Sequence, residues 1–199
     1  MIFPIVENKT NFVFINLKYP MITKNVEKAV NEQIKREEHS SRIYLSMASW
    51  AERNGYPGAA NWLYVQTEEE RIHMLKLVHY LNDRGGTAVI PALDAPEAKF
   101  GSLPDVFQQV LTHEEYISAS INDLYATCTS EKDFTTANYL QWYITEQIEE
   151  ESTVRSILDQ IKLAGSDKGG LFMMDKEFAA MATAKRAALA LSGGANAVT

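Results

Sequence analysis

Four long stretches of this chain place apolar residues three and four apart, and each interrupts its own apolar seam with an acid. Residues spaced this way share one face of an α-helix, and a chain with several such faces has to bury them against one another. The first stretch, Asn25 to Asn54, carries Val30, Ile34, Glu37 and Tyr44 on one stripe. The second, Gly58 to Arg84, carries Leu63, Gln66, Glu70, His73 and Leu77. The third begins at "SLPD" and runs to Thr129 with Leu103, Phe107, Val110, Glu114, Ile117, Ile121 and Leu124. The fourth, Asp133 to Leu163, carries Tyr143, Gln147, Glu150, Val154, Ile157 and Ile161. The breaks fall at "NGYPG", Gly85-Gly86 and "AGSDKGG", where glycine and proline end helices.

The spacing predicts an all-α fold, a four-helix up-down bundle. The segment from Gly86 to Leu103 holds Pro91, Pro96 and Gly101 and is long for a loop in a compact domain. A helix of about 26 residues is about 39 Å long, and an extended loop of this size can run back along it. The second and third helices are then parallel, joined by one long crossover. A short, alanine-rich fifth helix is expected from Met174 to Leu191, followed by a flexible tail "SGGANAVT". Residues 1–20 add no periodic face and are expected to be an N-terminal extension, with translation starting naturally at Met21; residues 21–199 form the domain.

A chain of 199 residues with 46% hydrophobic residues can bury one core. No apolar run is long enough for a membrane span, so no membrane is expected. The lone Cys128 has no internal disulfide partner, which fits a reducing cytoplasm. A net charge of −7 disfavours nucleic acid and favours cations.

Four acids converging in a core cannot all remain ionised unaided, because burial and mutual repulsion both raise their pKa values. No lysine or arginine lies on the four stripes, so two divalent cations are the expected counter-charge for Glu37, Glu70, Glu114 and Glu150. Carboxylates with one imidazole suit iron(II), manganese or zinc. Glu70 and His73, three apart, can reach one ion together. One position has Glu37, Glu70 and His73; the other has Glu70 as a bridge with Glu114, Glu150 and Gln147. With an amide where a histidine could stand, the second position is expected to hold metal more loosely, as suits an ion that leaves as product.

These residues carry a family resemblance. The runs "NEQIKREEHSSRIY", "TEEERIHM", the "HEE" at His113 to Glu115 and "LQWYITEQIEEE" at Leu140 to Glu151 resemble the bacterial non-haem ferritins, in order and at compatible spacing, over Met21 to Glu177. The resemblance implies a homo-oligomeric shell of twenty-four subunits that stores ferric mineral. It also implies a ferroxidase centre, oxidising Fe(II) with dioxygen at the two positions above. A third iron site is implied at Glu69, Glu146, Glu149 and Glu150, and Tyr44 matches a tyrosine close to the centre. No haem is expected, since Arg71 stands where bacterioferritins present the haem-ligating methionine.

A DNA-wrapping mini-ferritin would place ligands between subunits and carry a basic tail, whereas residues 1–20 contain only Lys9 and Lys18. A catalytic di-iron oxidase favours two Glu-x-x-His pairs, and a rubrerythrin-type enzyme adds paired cysteines. A purely structural bundle leaves the inward acids uncompensated, at several kcal/mol each. Glu68 is expected on a solvated face and Trp142 in packing; Glu131 and Asp133 are candidates for lining an entry channel, against the alternative that loops are commonly acidic for solubility alone.

Overall fold

In the computed structural model, which describes residues 21–165 and 167–196, five α-helices follow one another: α1 Lys24–Arg53, α2 Pro57–Asp83, α3 Leu103–Ser130, α4 Phe134–Ala164 and α5 Lys168–Asn196. Sequence patterning sets α1 to α4 to within one or two residues at each end. The expected N-terminal extension, residues 1–20, lies outside the described residues. Among the described residues no helix is long and apolar enough to cross a membrane.

Each helix starts where a side chain satisfies its unpaired N–H groups. Thr23 Oγ1 accepts from Val26 N, and Ser102 Oγ accepts from Asp105 N. Asp133 accepts from Thr136 N at 3.0 Å and pairs with Arg84 at 3.1 Å, so this acid is held by α2 and α4 as a cap. The start of α2 has no local cap; instead Asp175 of α5 accepts from Gly58 N at 3.0 Å and Ala59 N at 2.9 Å. A carboxylate on a helix N-terminus contributes roughly 1 kcal/mol. Gly58 is required there, because a Cβ would lie 1.7 Å from the Asp175 carbonyl oxygen.

The crossover runs along α1. Asn31 Nδ2 donates to the Thr87 carbonyl at 3.0 Å, Val89 N donates to Asn31 Oδ1 at 2.7 Å, and Ser46 Oγ donates to the Glu97 carbonyl at 2.6 Å. From Asn31 to Ser46 is about 22 Å of helix at ~1.5 Å per residue. The loop thus carries the chain back toward the start of α2, and α3 runs parallel to α2 as the loop length predicts.

The apolar core is divided in two. One cluster gathers Met47, Trp50, Trp62, Leu63 and Phe107 near the α1–α2 turn; the other gathers Val26, Ile34, Leu81, Leu124 and Leu140 at the far end. Between them lies the polar layer containing Glu37, Glu70, Glu114 and Glu150. Helix α5 is longer than its alanine-rich pattern implies, 29 residues, and it begins at Lys168 and reaches Asn196, through most of the segment expected to be a flexible tail. Met174, Phe178 and Ala182 are buried in the first cluster, and Phe178 stacks on Phe107 with ring centroids 5.0 Å apart. Full burial of such a side chain contributes about 1.5–3 kcal/mol, enough to commit α5 to the bundle.

Candidate metal centre

The acids that interrupt the four stripes meet in the polar layer. Glu37, Glu70, His73, Glu114 and Glu150 are each at most 3% exposed. Ligand atoms of Glu37, Glu70 and His73 lie within 4.8 Å of one another, as do those of Glu69, His73 and Glu146, so the single imidazole is common to an inner and an outer group. Glu114 and Glu150 stand outside both groups, held by neighbours of their own. Tyr44 donates to Glu114 Oε1, Gln147 Nε2 donates to Glu114 Oε2 at 2.9 Å, and Gln66 Nε2 donates to Glu150 Oε2 at 2.9 Å. Glu37 Oε1 accepts from Gln33 Nε2 at 2.8 Å, and Gln33 Oε1 accepts in turn from Ser120 at 2.9 Å. Tyr143 donates to the His73 carbonyl at 2.8 Å and fixes that turn of α2.

Not every acceptor is satisfied. Glu70 Oε2, Gln66 Oε1 and Glu69 Oε2 are buried with no hydrogen-bond partner among the described residues, though Glu69 Oε2 has an ion-pair contact with Lys185. Glu70 Oε2 lies 3.6 Å from His73 Nδ1, beyond hydrogen-bond distance. A buried acceptor left unpaired costs roughly 1–3 kcal/mol, more if charged. The unpaired oxygen faces the imidazole of the Glu37–Glu70–His73 group, where a cation would take it up.

The electrostatics are those of a site prepared for positive charge. Burial, then the Glu70 carboxylate, pushes Glu37 up to about 8. Burial and the neighbouring Glu150 push Glu114 up to about 7. Glu70 is raised well above the carboxylate range by burial and by Glu114 and Glu150. These groups hold protons near neutrality in the metal-free protein, and a divalent cation would release them. Tyr44 is also pushed far above its ordinary value, first by burial and then by Glu114, so it remains a hydroxyl donor.

The expectation that no basic side chain compensates these acids needs correction. Lys185, on α5, places Nζ 2.5 Å from Glu69 Oε2 and 2.7 Å from Glu150 Oε1. Burial opposes its charge, but Glu150 and Glu69 outweigh that and raise its pKa above the usual lysine value. The four stripes hold no cation, as read from sequence; this one arrives from a fifth helix whose alanine-rich pattern carried no hint of where its lysine would land. Of the expected outer residues, Glu69 is 4% exposed, Glu146 half-buried and Glu149 exposed. Burial raises Glu146 as well. Glu68 is exposed and lies 3.8 Å from Arg186. Trp142 is not a core residue: it is 38% exposed, its ring edge-on to His73 with Lys76 Nζ 3.1 Å above its centroid.

Residues 27–164, all but the first three residues of the four-helix unit, match the Ferritin-like domain family. A probable bacterial non-heme ferritin-like protein of Haemophilus influenzae is 42% identical over 163 residues, 82% of this chain and 99% of that protein. The bacterial non-heme ferritin of Campylobacter jejuni is 42% identical, over 78% of this chain and 93% of its own. The chain belongs to the bacterial non-haem ferritins. Among solved structures, an open-pore ferritin from the hyperthermophilic archaeon Archaeoglobus fulgidus superposes with a TM-score of 0.78 at 37% identity, covering 79% of this chain and 97% of that one. This ferritin therefore has the all-α bundle of an iron-storage family, with the acids and imidazole on its interior stripes set between two apolar clusters.

Sequence reasoning missed three contributors to this ferritin's centre. Gln33 and Ser120 lie on inward faces without interrupting an obvious acid pattern, and their polarity at buried positions was the available sign. Lys185 could be placed only once the path of α5 was known.

Proposed function

We propose that this chain oxidises Fe(II) with dioxygen at the Glu37, Glu70, His73, Glu114, Gln147 and Glu150 centre within each subunit. The ferric product is then stored as mineral inside a hollow homo-oligomer, a shell of twenty-four subunits in the cytoplasm. Residues 21–199 form the ferritin-like unit and residues 1–20 an appendage to it. The reading is supported most by the unpaired Glu70 Oε2, a buried acceptor 3.6 Å from His73 Nδ1, on a residue whose carboxylate groups with Glu37 and His73.

Fe(II) is the substrate. Glu37, Glu70 and His73 bind one ion and Glu70, Glu114 and Glu150 the other, with Glu37, Glu70 and Glu114 exchanging carboxyl protons for metal. Gln147 presents its amide nitrogen to Glu114, and has to turn over to offer its oxygen to an ion. The second ion is thus held less firmly and is the first to leave as product. Two Fe(II) give two electrons to one dioxygen, which takes up two protons and departs as hydrogen peroxide. Tyr44 keeps Glu114 oriented through this exchange. A third iron is assigned to Glu69, Glu146, Glu149 and Glu150, where it meets Lys185 as a competitor.

Aerobic addition of Fe(II) to the purified protein tests the reading. Electron microscopy is expected to show shells filled with electron-dense mineral. Iron hydroxide precipitating outside empty or monomeric protein contradicts it.

A further inference from the structure

Between α2, α4 and α5 opens a cleft of about 610 Å³ whose wall includes Glu69, His73, Lys76, Trp142, Glu146 and Lys185. The outer acidic pocket is its floor. Lys185 does not merely line it: Nζ bridges Glu69 on α2 and Glu150 on α4 at 2.5 and 2.7 Å, the position of a cation between two carboxylates. The side chain is also delivered there under constraint. Ten residues earlier on the same helix Asp175 caps the N-terminus of α2, against a glycine that admits the close approach, and Phe178 and Ala182 are buried between the two anchors.

We infer that Lys185 is a tethered counter-cation that determines how many metal ions each subunit holds, by occupying the outer pocket until a third ion displaces it. This rests on the reading of the inner acids as a two-ion centre. An ammonium already neutralises part of the Glu69–Glu150 charge, so a divalent ion entering there has to displace a cation that pairs with Glu69 and donates a charge-assisted hydrogen bond to Glu150, whereas no lysine or arginine pairs with Glu37, Glu70 or Glu114 among the described residues. Glu70 Oε2, by contrast, stands unpaired and open to metal. The inner pair fills first. The third ion binds weakly, and its binding swings Lys185 out into the cleft.

Two measurements on the metal-free assembled protein test the inference with Zn(II), which has no redox step of its own. In calorimetric titrations the wild type is expected to take two Zn(II) per subunit tightly and a third weakly. Lys185→Gln, which keeps much of the side chain's length without its charge, is expected to bind the third about tenfold more tightly, as loss of hydrogen bonds to charged groups allows. Lys185→Arg is expected to behave as wild type. Identical third-ion affinities in wild type and Lys185→Gln, with the first two intact, overturn the role of Lys185; loss of the first two in the wild type overturns the two-ion centre itself.

The second measurement uses the unmodified chain and needs no folded variant. Amine-reactive labelling read by mass spectrometry is expected to modify Lys185 far more slowly than the exposed Lys168 in the metal-free protein, and to reach it only as the third equivalent of Zn(II) binds. Labelling of Lys185 at the rate of Lys168 without metal, or unchanged by the third equivalent, contradicts the inference.

Discussion

Gln147 on α4 holds its amide nitrogen 2.9 Å from Oε2 of Glu114 on α3. The amide therefore acts as a donor to the carboxylate proposed to bind the second ion, and a neutral group stands where a further charge would hold that ion in place. Gln147→Glu is expected to leave the first round of oxidation near the wild-type rate but to slow later rounds several-fold, because the second ion is retained. Sequential additions of Fe(II) followed by absorbance of ferric product check this; equal rates across additions in the variant contradict it.

In the proposed centre Glu70 is the acid shared by both ion positions, and its Oε2 is buried without a hydrogen-bond partner among the described residues. Glu70→Gln is expected to abolish fast oxidation. The metal-free protein should become more stable, since the variant removes a buried carboxylate facing Glu37, Glu114 and Glu150. Relief of about 2 kcal/mol corresponds to a rise of roughly 4–8 °C in Tm for a domain of this size. Calorimetry of the apo form reads the direction: a lower Tm than wild type counts against repulsion in the centre.

The same electrostatics give the metal-free protein a pH dependence. Glu37 titrates near 4.5 when unfolded and at about 8 when folded. Over that window the folded state binds more protons than the unfolded state, so stability is full below about 4.5 and falls as pH rises through 8. Unfolding of the apo form is expected at lower denaturant at pH 8.5 than at pH 6, and saturation with Zn(II) should remove most of the difference. Apo stability that rises over this range contradicts the assignment for Glu37.

Tyr44 donates to Glu114, and this bond lowers the proton affinity of Glu114 against the larger effects of burial and Glu150. In Tyr44→Phe the carboxyl holds its proton more tightly and competes better with metal. Binding at the second position is expected to weaken by about tenfold, in line with roughly 1–3 kcal/mol for a buried acceptor left unpaired, with the first position unchanged. Anaerobic metal titration separates the two steps; an unaltered second step removes Tyr44 from this role.

Helices α1 to α4 were legible because each buries one continuous apolar stripe, and stripes set both the helix limits and the acids they point inward. Glu37, Glu70, His73, Glu114 and Glu150 all come to lie in the layer between Trp62 and Leu81 on α2 by that logic alone. Helix α5 was not legible in the same way. Its alanine-rich face packs by small surfaces, and what fixes it is a set of contacts far apart in sequence: Asp175 with the start of α2, Phe178 with Phe107, Lys185 with Glu69 and Glu150. Periodicity reports which face of a helix is buried but not which neighbour covers it. Lys185 in the acidic layer was consequently invisible, although the charge imbalance there was not.

The central claim, that the interior acids form an Fe(II)-oxidising centre, is tested most directly by oxygen uptake on adding two Fe(II) per subunit to the metal-free protein. The account predicts rapid consumption of about one dioxygen for every two Fe(II), with hydrogen peroxide released, and no such phase in Glu70→Gln. Wild-type protein that consumes oxygen no faster than the Glu70→Gln variant would contradict it.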